Sequence, residues 1–302
     1  MPNSKSRAIR YAPLALTAVA AVWGGAFVVM KDAIESQPIV DFLGTRFVIA
    51  ALVMIAAKPS VLKQIRGSLL WQGLVLGTLM TIAYYTQTVG LKMTTAAISG
   101  FVTGLYVVIS PLLIWLLLKI KVSGKIWIGV ALSLAGLGFI SINPQNFSFE
   151  WPQLWLVACA FFFSLHIAGL AKWSPKQDAY ALTVVQLATV GVINMVWAGA
   201  QGYHAPVGTF GWFAILFTAV FSTAIAFFVQ TWAQGVMDSS RVAILLTSET
   251  VFAALISVGS GQEVLKLQTL IGGALIVGAM LVVEWPGKNR TSMALPVENL
   301  PH

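Results

Sequence analysis

Charged residues are scarce in this sequence: they make up 9% of its 302 residues, whereas 58% are hydrophobic. Soluble globular domains are typically about one-quarter charged, so this composition excludes an ordinary soluble domain and predicts an integral membrane protein. Cysteine is almost absent, and the single Cys159 lies within an apolar run. One cysteine excludes an intramolecular disulfide and a thiolate metal cluster, so we interpret it as a packing residue.

Motifs of catalytic and cofactor-dependent proteins are also missing. The sequence has no G-x-x-x-x-G-K-[ST] loop, which argues against an ATP-driven motor, and no H-E-x-x-H or similar metal-spaced pair. Of its three histidines, His204 lies in a loop and His302 at the C-terminus, so they suggest no Ser-His-Asp set. We therefore predict that the protein is not an enzyme and has no catalytic residues, cofactor or metal.

The net charge of +8 does not indicate a nucleic-acid partner, because the basic residues are spread over short loops rather than gathered in a patch or tail. The apolar segments also lack the Lys/Arg cluster that would pair with a phosphorylated substrate. The predicted partners are the lipid bilayer and a small-molecule substrate. A homo-oligomer stays an open alternative.

Ten apolar segments are long enough to cross a bilayer as helices, for which about 20 residues are needed. The first is too long for the apolar core of a secretory signal peptide, about 7 to 15 residues. The predicted spans, numbered 1 to 10 in chain order, are 11–30, 40–57, 69–90, 96–118, 125–142, 152–171, 180–199, 210–233, 241–261 and 267–285. They predict an all-α integral membrane protein.

The chain resembles itself at an offset of 143 residues. This offset carries Gln87 onto Gln230, Thr88 onto Thr231, Gly129 onto Gly272 and Leu132 onto Leu275. Paired halves in a very apolar chain are typical of secondary transporters. We predict an N-terminal five-helix repeat (1–148), a C-terminal five-helix repeat (149–286) and a disordered cytoplasmic tail (287–302).

Basic residues are distributed unequally between alternate loops. Ten spans place both termini on one side, and 14 basic residues lie on that side: Lys5, Arg7, Arg10, Lys58, Lys63, Arg66, Lys119, Lys121, Lys125, Lys172, Lys176, Arg241, Lys288 and Arg290. The opposite loops hold only Lys31, Lys92 and Lys266. By the positive-inside rule, we expect both termini in the cytoplasm of a multi-pass protein of the plasma, or bacterial inner, membrane.

Polar side chains form stripes on three predicted helices, judged at about 100° per residue. The stripes comprise Thr95, Ser99, Thr103, Tyr106 and Ser110 on span 4, Thr78, Thr81, Tyr84, Tyr85 and Thr88 on span 3, and Thr223, Phe227, Gln230, Thr231 and Gln234 on span 8. One interpretation is hydrogen bonding between helices; the other is a water-filled, aromatic-lined cavity. We favour the first for isolated Ser and Thr residues and the second for the converging Tyr and Gln residues.

Three ionisable residues lie clearly within the spans, where such groups are functional hypotheses by default. The 143-residue offset carries Tyr106 onto Glu249 and Trp23 onto His166, which suggests a central site. The alternatives are a satisfied core residue for His166 and a structural hydrogen-bond acceptor for Glu249. Arg46 lies close to the outer end of span 2, and we expect it to snorkel and to be structural.

Several stretches resemble one known family: VWGGAFVVMK (22–31), GTRFVIAAL (44–52), SGFVTGLYVVISPLL in span 4, and SETVFAAL and LIGGALIVGAML in the second half. They resemble the EamA family of the drug/metabolite transporter superfamily, with YddG-type amino-acid exporters as the first group to name. The resemblance implies ten transmembrane helices in two inverted five-helix repeats. The family often has Pro after the span-9 Glu, where this chain has Thr250, so the bend expected there is in question.

The resemblance also implies a central cavity formed mainly by spans 1, 3, 4, 6, 8 and 9. The expected substrate-binding residues are Trp23, Tyr84, Tyr85, Gln87, Thr103, Tyr106, His166, Gln230 and Glu249. The implied function is export of amino acids, aromatic ones included, and related small metabolites by alternating access. The alternatives are an efflux carrier for drugs or lipophilic cations and a membrane scaffold that does not transport.

Overall fold

A computed structural model describes residues 4–94, 96–141, 151–259 and 266–285. Within these residues it contains helices and no strands: α1 Ser4–Ser36, α2 Ile39–Ala57, α3 Gly67–Met93, α4 Ala96–Gly104, α5 Tyr106–Leu118, α6 Gly124–Ser141, α7 Gln153–Trp173, α8 Ala179–Gln201, α9 Gly208–Phe217, α10 Ala226–Val236, α11 Ser239–Leu246, α12 Glu249–Gly259 and α13 Leu267–Glu284. Thr95, the predicted repeat boundary at 148–149 and the predicted tail 287–302 lie outside the described residues.

These helical segments cover the ten predicted spans, three of which consist of more than one segment. Span 4 is formed by α4 and α5, span 8 by α9, a π-helix (Thr218–Ile225) and α10, and span 9 by α11 and α12. Eight of the helical segments described are long and apolar enough to cross a membrane, namely spans 2 to 4 and 6 to 10. Span 5 is a shorter apolar helix and span 1 lies within α1. The prediction of ten helices is confirmed.

Equivalent helices of the two repeats pack against each other in opposite directions. In the contact between α2 and α8, Gly44 lies against Met195, whereas Val48, four residues later, lies against Gly191, four residues earlier. Val48 and Gly191 are related by the 143-residue offset, so this contact joins a position to its own equivalent. Such antiparallel self-pairing is what an inverted repeat requires.

The last helices of the two repeats, α6 and α13, also pack against each other at equivalent positions. A Cβ atom on Gly136 would lie 2.7 Å from the carbonyl oxygen of Gly272, and one on Gly272 would lie 2.6 Å from that of Gly136. Only glycine allows two helix backbones to approach this closely. The remaining contacts are matched in the same way: span 1 packs on spans 8 and 9, and span 6 packs on spans 3 and 4.

Spans 4 and 9 are interrupted at equivalent positions. Span 4 breaks at Leu105, between α4 and α5, and span 9 breaks at Thr247 and Ser248, between α11 and α12. The second break forms although Thr250 replaces the expected proline. At this break the hydroxyls of Thr247 and Ser248 donate to the carbonyl oxygens of Ile244 and Leu245, at 2.6 and 2.7 Å, so side chains satisfy carbonyls at the end of α11.

Candidate functional site

A central cavity lies between spans 1, 2, 3, 4, 6, 8 and 9. It is lined by Trp23, Ala26, Met30, Arg46, Tyr84, Gln87, Thr103, Tyr106, Phe163, Ile167, Ser222, Phe227, Gln230, Leu246 and Glu249. The empty space among these residues measures about 630 Å³, solvent at its mouth included. Small-molecule sites are typically concave and mostly apolar, with a few polar groups that orient the ligand, and this lining has that composition.

The cavity surrounds the pseudo-symmetry axis of the fold. Four pairs of its lining residues are related by the 143-residue offset: Tyr84 with Phe227, Gln87 with Gln230, Thr103 with Leu246, and Tyr106 with Glu249. A site at the interface between two repeats, near the breaks in two discontinuous helices, is the arrangement found in secondary transporters.

An aromatic cluster forms one wall. The ring of Tyr84 lies edge-on to the rings of Phe47, Phe163 and Phe227, with centroid distances of 5.1, 5.3 and 6.0 Å. The rings of Trp23 and Phe227 are 5.5 Å apart. Aromatic pairs favour such tilted and edge-to-face contacts, so this wall is held in place by its own packing and presents an apolar surface to the cavity.

Arg46 is a buried cation at the edge of this wall, with only 1% of its surface exposed. Its Nε donates to Thr223 Oγ1 at 2.6 Å, Nη2 donates to Ser222 Oγ at 3.1 Å and Nη1 contacts Met30 Sδ at 3.2 Å. The guanidinium carbon lies 5.5 Å from the centroid of the Tyr84 ring. The prediction that Arg46 snorkels is therefore wrong, because its partners draw it inwards.

The π-helix in span 8 supplies the partners of Arg46. Ser222 and Thr223 both lie within Thr218–Ile225, and the carbonyl oxygen of Ser222 also accepts a hydrogen bond from Trp23 Nε1 at 2.8 Å. A π-helix shifts side chains relative to a regular helix and is frequent at functional sites. This segment therefore positions both the cation and the indole that line the cavity.

Glu249 is the acid of the cavity and the first residue of α12. Its side chain has no hydrogen bond or ion pair among the described residues, where the two ion pairs are Asp41–His204 and Arg241–Glu284. Span 1 passes close to it, since a Cβ atom on Gly24 would lie 2.7 Å from the Glu249 carbonyl oxygen. The carboxylate is thus available to a ligand.

Two further polar groups in the lining lack partners. Within the part of the chain that the structure describes, the Tyr106 hydroxyl and Gln230 Oε1 are buried and accept or donate no hydrogen bond. Buried polar atoms are usually paired, and an exception calls for an explanation such as a ligand. Together with Arg46 and Glu249, they give the cavity one basic group, one acidic group and two further hydrogen-bonding groups.

The model of the EamA-like transporter family matches residues 10–142 and 150–285, one match for each half. The chain belongs to this family. It is 32% identical over 273 residues to an uncharacterized transporter of Archaeoglobus fulgidus, covering 90% of this chain and 85% of that protein. It is 24% identical to the uncharacterized transporter YvbV of Bacillus subtilis, covering 94% and 95%. The resemblance in the sequence to the EamA family is confirmed.

A solved crystal structure shares the fold of this EamA protein, with a TM-score of 0.76 over 91% of this chain and 96% of that one, at 20% identity. The relatives are transporters by name, so this EamA protein is a multi-pass membrane protein of a transporter family. Amino-acid export of the YddG type stays a prediction.

Seven of the nine predicted binding residues line the cavity of this EamA protein: Trp23, Tyr84, Gln87, Thr103, Tyr106, Gln230 and Glu249. The cavity does not include Tyr85, whose ring stacks on Trp197 with centroids 4.9 Å apart. Nor does it include His166, whose Nε2 is 2.7 Å from Gln186 Oε1. Binding by these two residues stays a prediction that the cavity does not support.

Sequence reasoning missed several lining residues. Phe227 was assigned only to a polar stripe, although the 143-residue offset relates it to Tyr84, a predicted site residue. The same offset relates Leu246 to Thr103, so both residues could have been predicted to line the site. Arg46 was noticed as an ionisable residue within a span but was interpreted as structural. No sequence signal indicates Ser222 or Phe163 as lining residues, because each depends on which neighbouring helix it faces. The stripes were also misread in part: the hydroxyls of Thr81 and Thr88 donate to carbonyls of their own helix, not to a neighbouring one.

Proposed function

We propose that this protein is a secondary transporter of the plasma, or bacterial inner, membrane that exports amino acids and related small metabolites by alternating access. Aromatic amino acids are included among the proposed substrates. The observation that carries the proposal is the composition of the central cavity, in which an aromatic wall adjoins one unpaired acid and one buried cation. An amino acid has the same two parts: a variable side chain and a dipolar head group.

The aromatic wall suits the variable part of such a substrate. Trp23, Tyr84, Phe163 and Phe227 offer apolar surface without a hydrogen-bonding pattern that selects one side chain. Tyr106, Gln87 and Gln230 add hydrogen-bonding groups for the polar end. Because a hydrophobic pocket discriminates weakly between similar apolar groups, we expect the carrier to accept several amino acids.

The orientation follows from the loop charges. The positive-inside rule places both termini in the cytoplasm, and export is the direction that the family resemblance implies. An efflux carrier for lipophilic cations is the less suitable alternative, since Arg46 contributes a buried positive charge to the same cavity. Like charges in a low-dielectric site repel strongly.

Flux measurements test the proposal directly. Purified protein in proteoliposomes, loaded with unlabelled amino acid, is expected to take up labelled L-phenylalanine, L-leucine or L-threonine by counterflow above the level of empty vesicles. A folded, monodisperse preparation that exchanges no amino acid would rule out the proposed function.

Accessibility of the cavity distinguishes a carrier from a scaffold. In a Cys159→Ala background, Gln230→Cys is expected to react with an aqueous thiol reagent and to be protected by substrate. Thr78→Cys serves as the matched control, because Thr78 is exposed on the outer surface of α3 and outside the cavity, where lipid is expected. Equal inertness of both cysteines in every condition would favour a scaffold.

A further inference from the structure

We infer that the cavity recognises its substrate as a zwitterion, with Arg46 binding the carboxylate and Glu249 binding the ammonium group. This inference rests on the proposed function and makes its substrate class more specific. It assigns a ligand-binding role to Arg46, a residue of span 2 that we interpreted as structural from the sequence alone. It also predicts that an amine without a carboxylate, or a carboxylate without an amine, is a poor substrate.

The hydrogen bonds of Arg46 leave part of its guanidinium free. A guanidinium carries five N–H groups. The contacts to Thr223, Ser222 and Met30 occupy three of them, and the Tyr84 side chain is a further neighbour within hydrogen-bonding reach. All of these neighbours are neutral, so the positive charge has no anionic partner among the described residues. They fix the orientation of the planar group, and such a fixed fork suits a carboxylate.

Glu249 supplies the complementary acidic group from the other repeat. It lines the same cavity, begins the half-helix after the break in span 9, and has no hydrogen bond or ion pair within the described residues. Burying either charge alone is costly, and removal of one member of a buried pair leaves the other uncompensated. An ammonium group beside Glu249 would favour its ionised form, so a zwitterion bound between Arg46 and Glu249 would leave neither residue with an uncompensated charge.

Two neutral groups complete the proposed head-group site. The Tyr106 hydroxyl and Gln230 Oε1 are both buried in the lining and lack partners in the described structure. The hydroxyl can donate to a carboxylate, and the amide oxygen can accept from an ammonium group. The aromatic wall of the same cavity would then contact the substrate side chain.

Three matched ligands test the inference on the unmodified protein. L-Phenylalanine carries both charges, 2-phenylethylamine lacks the carboxylate and 3-phenylpropionate lacks the ammonium group. We expect L-phenylalanine to stabilise the purified protein against thermal unfolding and to compete in counterflow. Each of the other two should bind about 10- to 100-fold more weakly, because each loses one charge-assisted contact.

Two variants should change this preference in opposite ways. Arg46→Gln is expected to bind L-phenylalanine 10- to 100-fold more weakly and to lose its discrimination against 2-phenylethylamine. Glu249→Gln should lose its discrimination against 3-phenylpropionate instead. A merely structural role for either residue would weaken binding of all three ligands equally. Arg46→Lys keeps the charge and should retain the wild-type order of ligands.

Controls separate the possible failures. Thr78→Val, on the outer surface of α3, should bind all three ligands as the wild type does. Equal binding of L-phenylalanine and 2-phenylethylamine by the wild-type protein would overturn the inference while leaving amino-acid transport intact. Lack of binding and flux for every amino acid tested would instead overturn the proposed function and this inference with it. If Arg46→Gln does not fold, the wild-type ligand series and Arg46→Lys still decide.

Discussion

The two repeats give the cavity similar walls but different charges. At matched positions the N-terminal repeat has Tyr84 and Gln87 where the C-terminal repeat has Phe227 and Gln230, so shape and apolar character are shared. Glu249, in contrast, has Tyr106 as its equivalent. The acid therefore belongs to the C-terminal half alone, although it uses a position that both halves direct into the cavity.

The basic residue of the cavity, in contrast, belongs to the N-terminal half alone. Arg46 belongs to the N-terminal repeat, and its equivalent in the C-terminal repeat is Thr189, whose hydroxyl donates to Val185 of its own helix. The two hydroxyls that accept from Arg46 come from the π-helix of span 8, whereas the equivalent part of span 3 is a continuous α-helix. The difference teaches that packing follows the symmetry of the repeats, while the charged chemistry depends on departures from it.

The largest expected effect concerns a packing position that both repeats share. Gly272→Val should destabilise the protein by about 3 kcal/mol, because a Cβ atom there would lie 2.6 Å from the Gly136 carbonyl oxygen. Thermal unfolding in detergent and fluorescence-detected size exclusion measure this loss. Gly278→Val on the same helix is the matched control, since a Cβ atom at Gly278 meets nothing within 4 Å.

The equivalent residue of the other repeat sharpens this test. A Cβ atom on Gly129 would meet side-chain atoms of Val283 and Ile244, at 2.9 and 3.0 Å, and side chains can move where a backbone cannot. Gly129→Ala should therefore cost less than Gly272→Ala. Equal losses at both positions would contradict the packing described for α6 and α13.

The second effect concerns the matched positions Arg46 and Thr189. Arg46→Gln is expected to reduce substrate flux about 10- to 100-fold, since a charge-assisted contact contributes about 1.5–3 kcal/mol. Thr189→Val keeps the shape of the side chain and removes a hydroxyl that bonds only its own helix, so flux should stay near that of the wild type. Similar losses in both variants would mean that Arg46 acts through packing alone.

The fold could be predicted from the sequence because the bilayer leaves few choices. Spans must be apolar and of a set length, and the loop charges and the 143-residue offset then fix their number and pairing. The interruption at Leu105 and the π-helix at Thr218–Ile225 could not be predicted. No local sequence pattern marks either of them, and the contacts of the π-helix are to Trp23 and Arg46, which lie in other helices.

The candidate site could be predicted only where symmetry helped. Gln87, Gln230, Tyr106 and Glu249 are related by the offset, and all four line the cavity. Tyr85 follows Tyr84 directly, and one step of about 100° around the helix directs it to Trp197 instead. The Arg46 side chain points inwards because it donates to hydroxyls that are 177 and 176 residues away in the sequence. Sequence spacing carries no information about a contact at that separation.

A third, smaller effect concerns two hydrogen bonds that join span 2 to span 7 and to the loop that follows it, one near each end of span 2. At one face the buried Asp41 carboxylate accepts from the His204 backbone N–H at 2.8 Å. At the other, the Tyr180 hydroxyl donates to the Met54 carbonyl oxygen at 2.6 Å. Asp41→Leu should lower the free energy of unfolding by about 1–3 kcal/mol, because it leaves that N–H unpaired, and Tyr180→Phe by only about 1 kcal/mol.

Chemical denaturation or thermal unfolding in detergent measures both changes. Asp41→Asn is the matched control, because its amide oxygen still accepts from the backbone N–H of His204, and it should lose less stability than Asp41→Leu. Equal losses for Asp41→Asn and Asp41→Leu would show that the charge, rather than the hydrogen bond to the loop, stabilises this face.

The smallest effect concerns Gln87 and Gln230, the identical residues at equivalent positions. Both line the cavity, yet Gln230 donates weakly to Gln234 at 3.4 Å and keeps an unpaired Oε1, whereas Gln87 is half-buried. A neutral hydrogen bond contributes about 0.5–1.5 kcal/mol, so each Gln→Leu change should reduce substrate affinity about 2- to 10-fold. Gln230→Leu should be the more severe, because its amide oxygen is the buried one. If Gln87→Leu lost more, the head group would lie nearer the N-terminal repeat, and the Arg46 end of the cavity would dominate recognition.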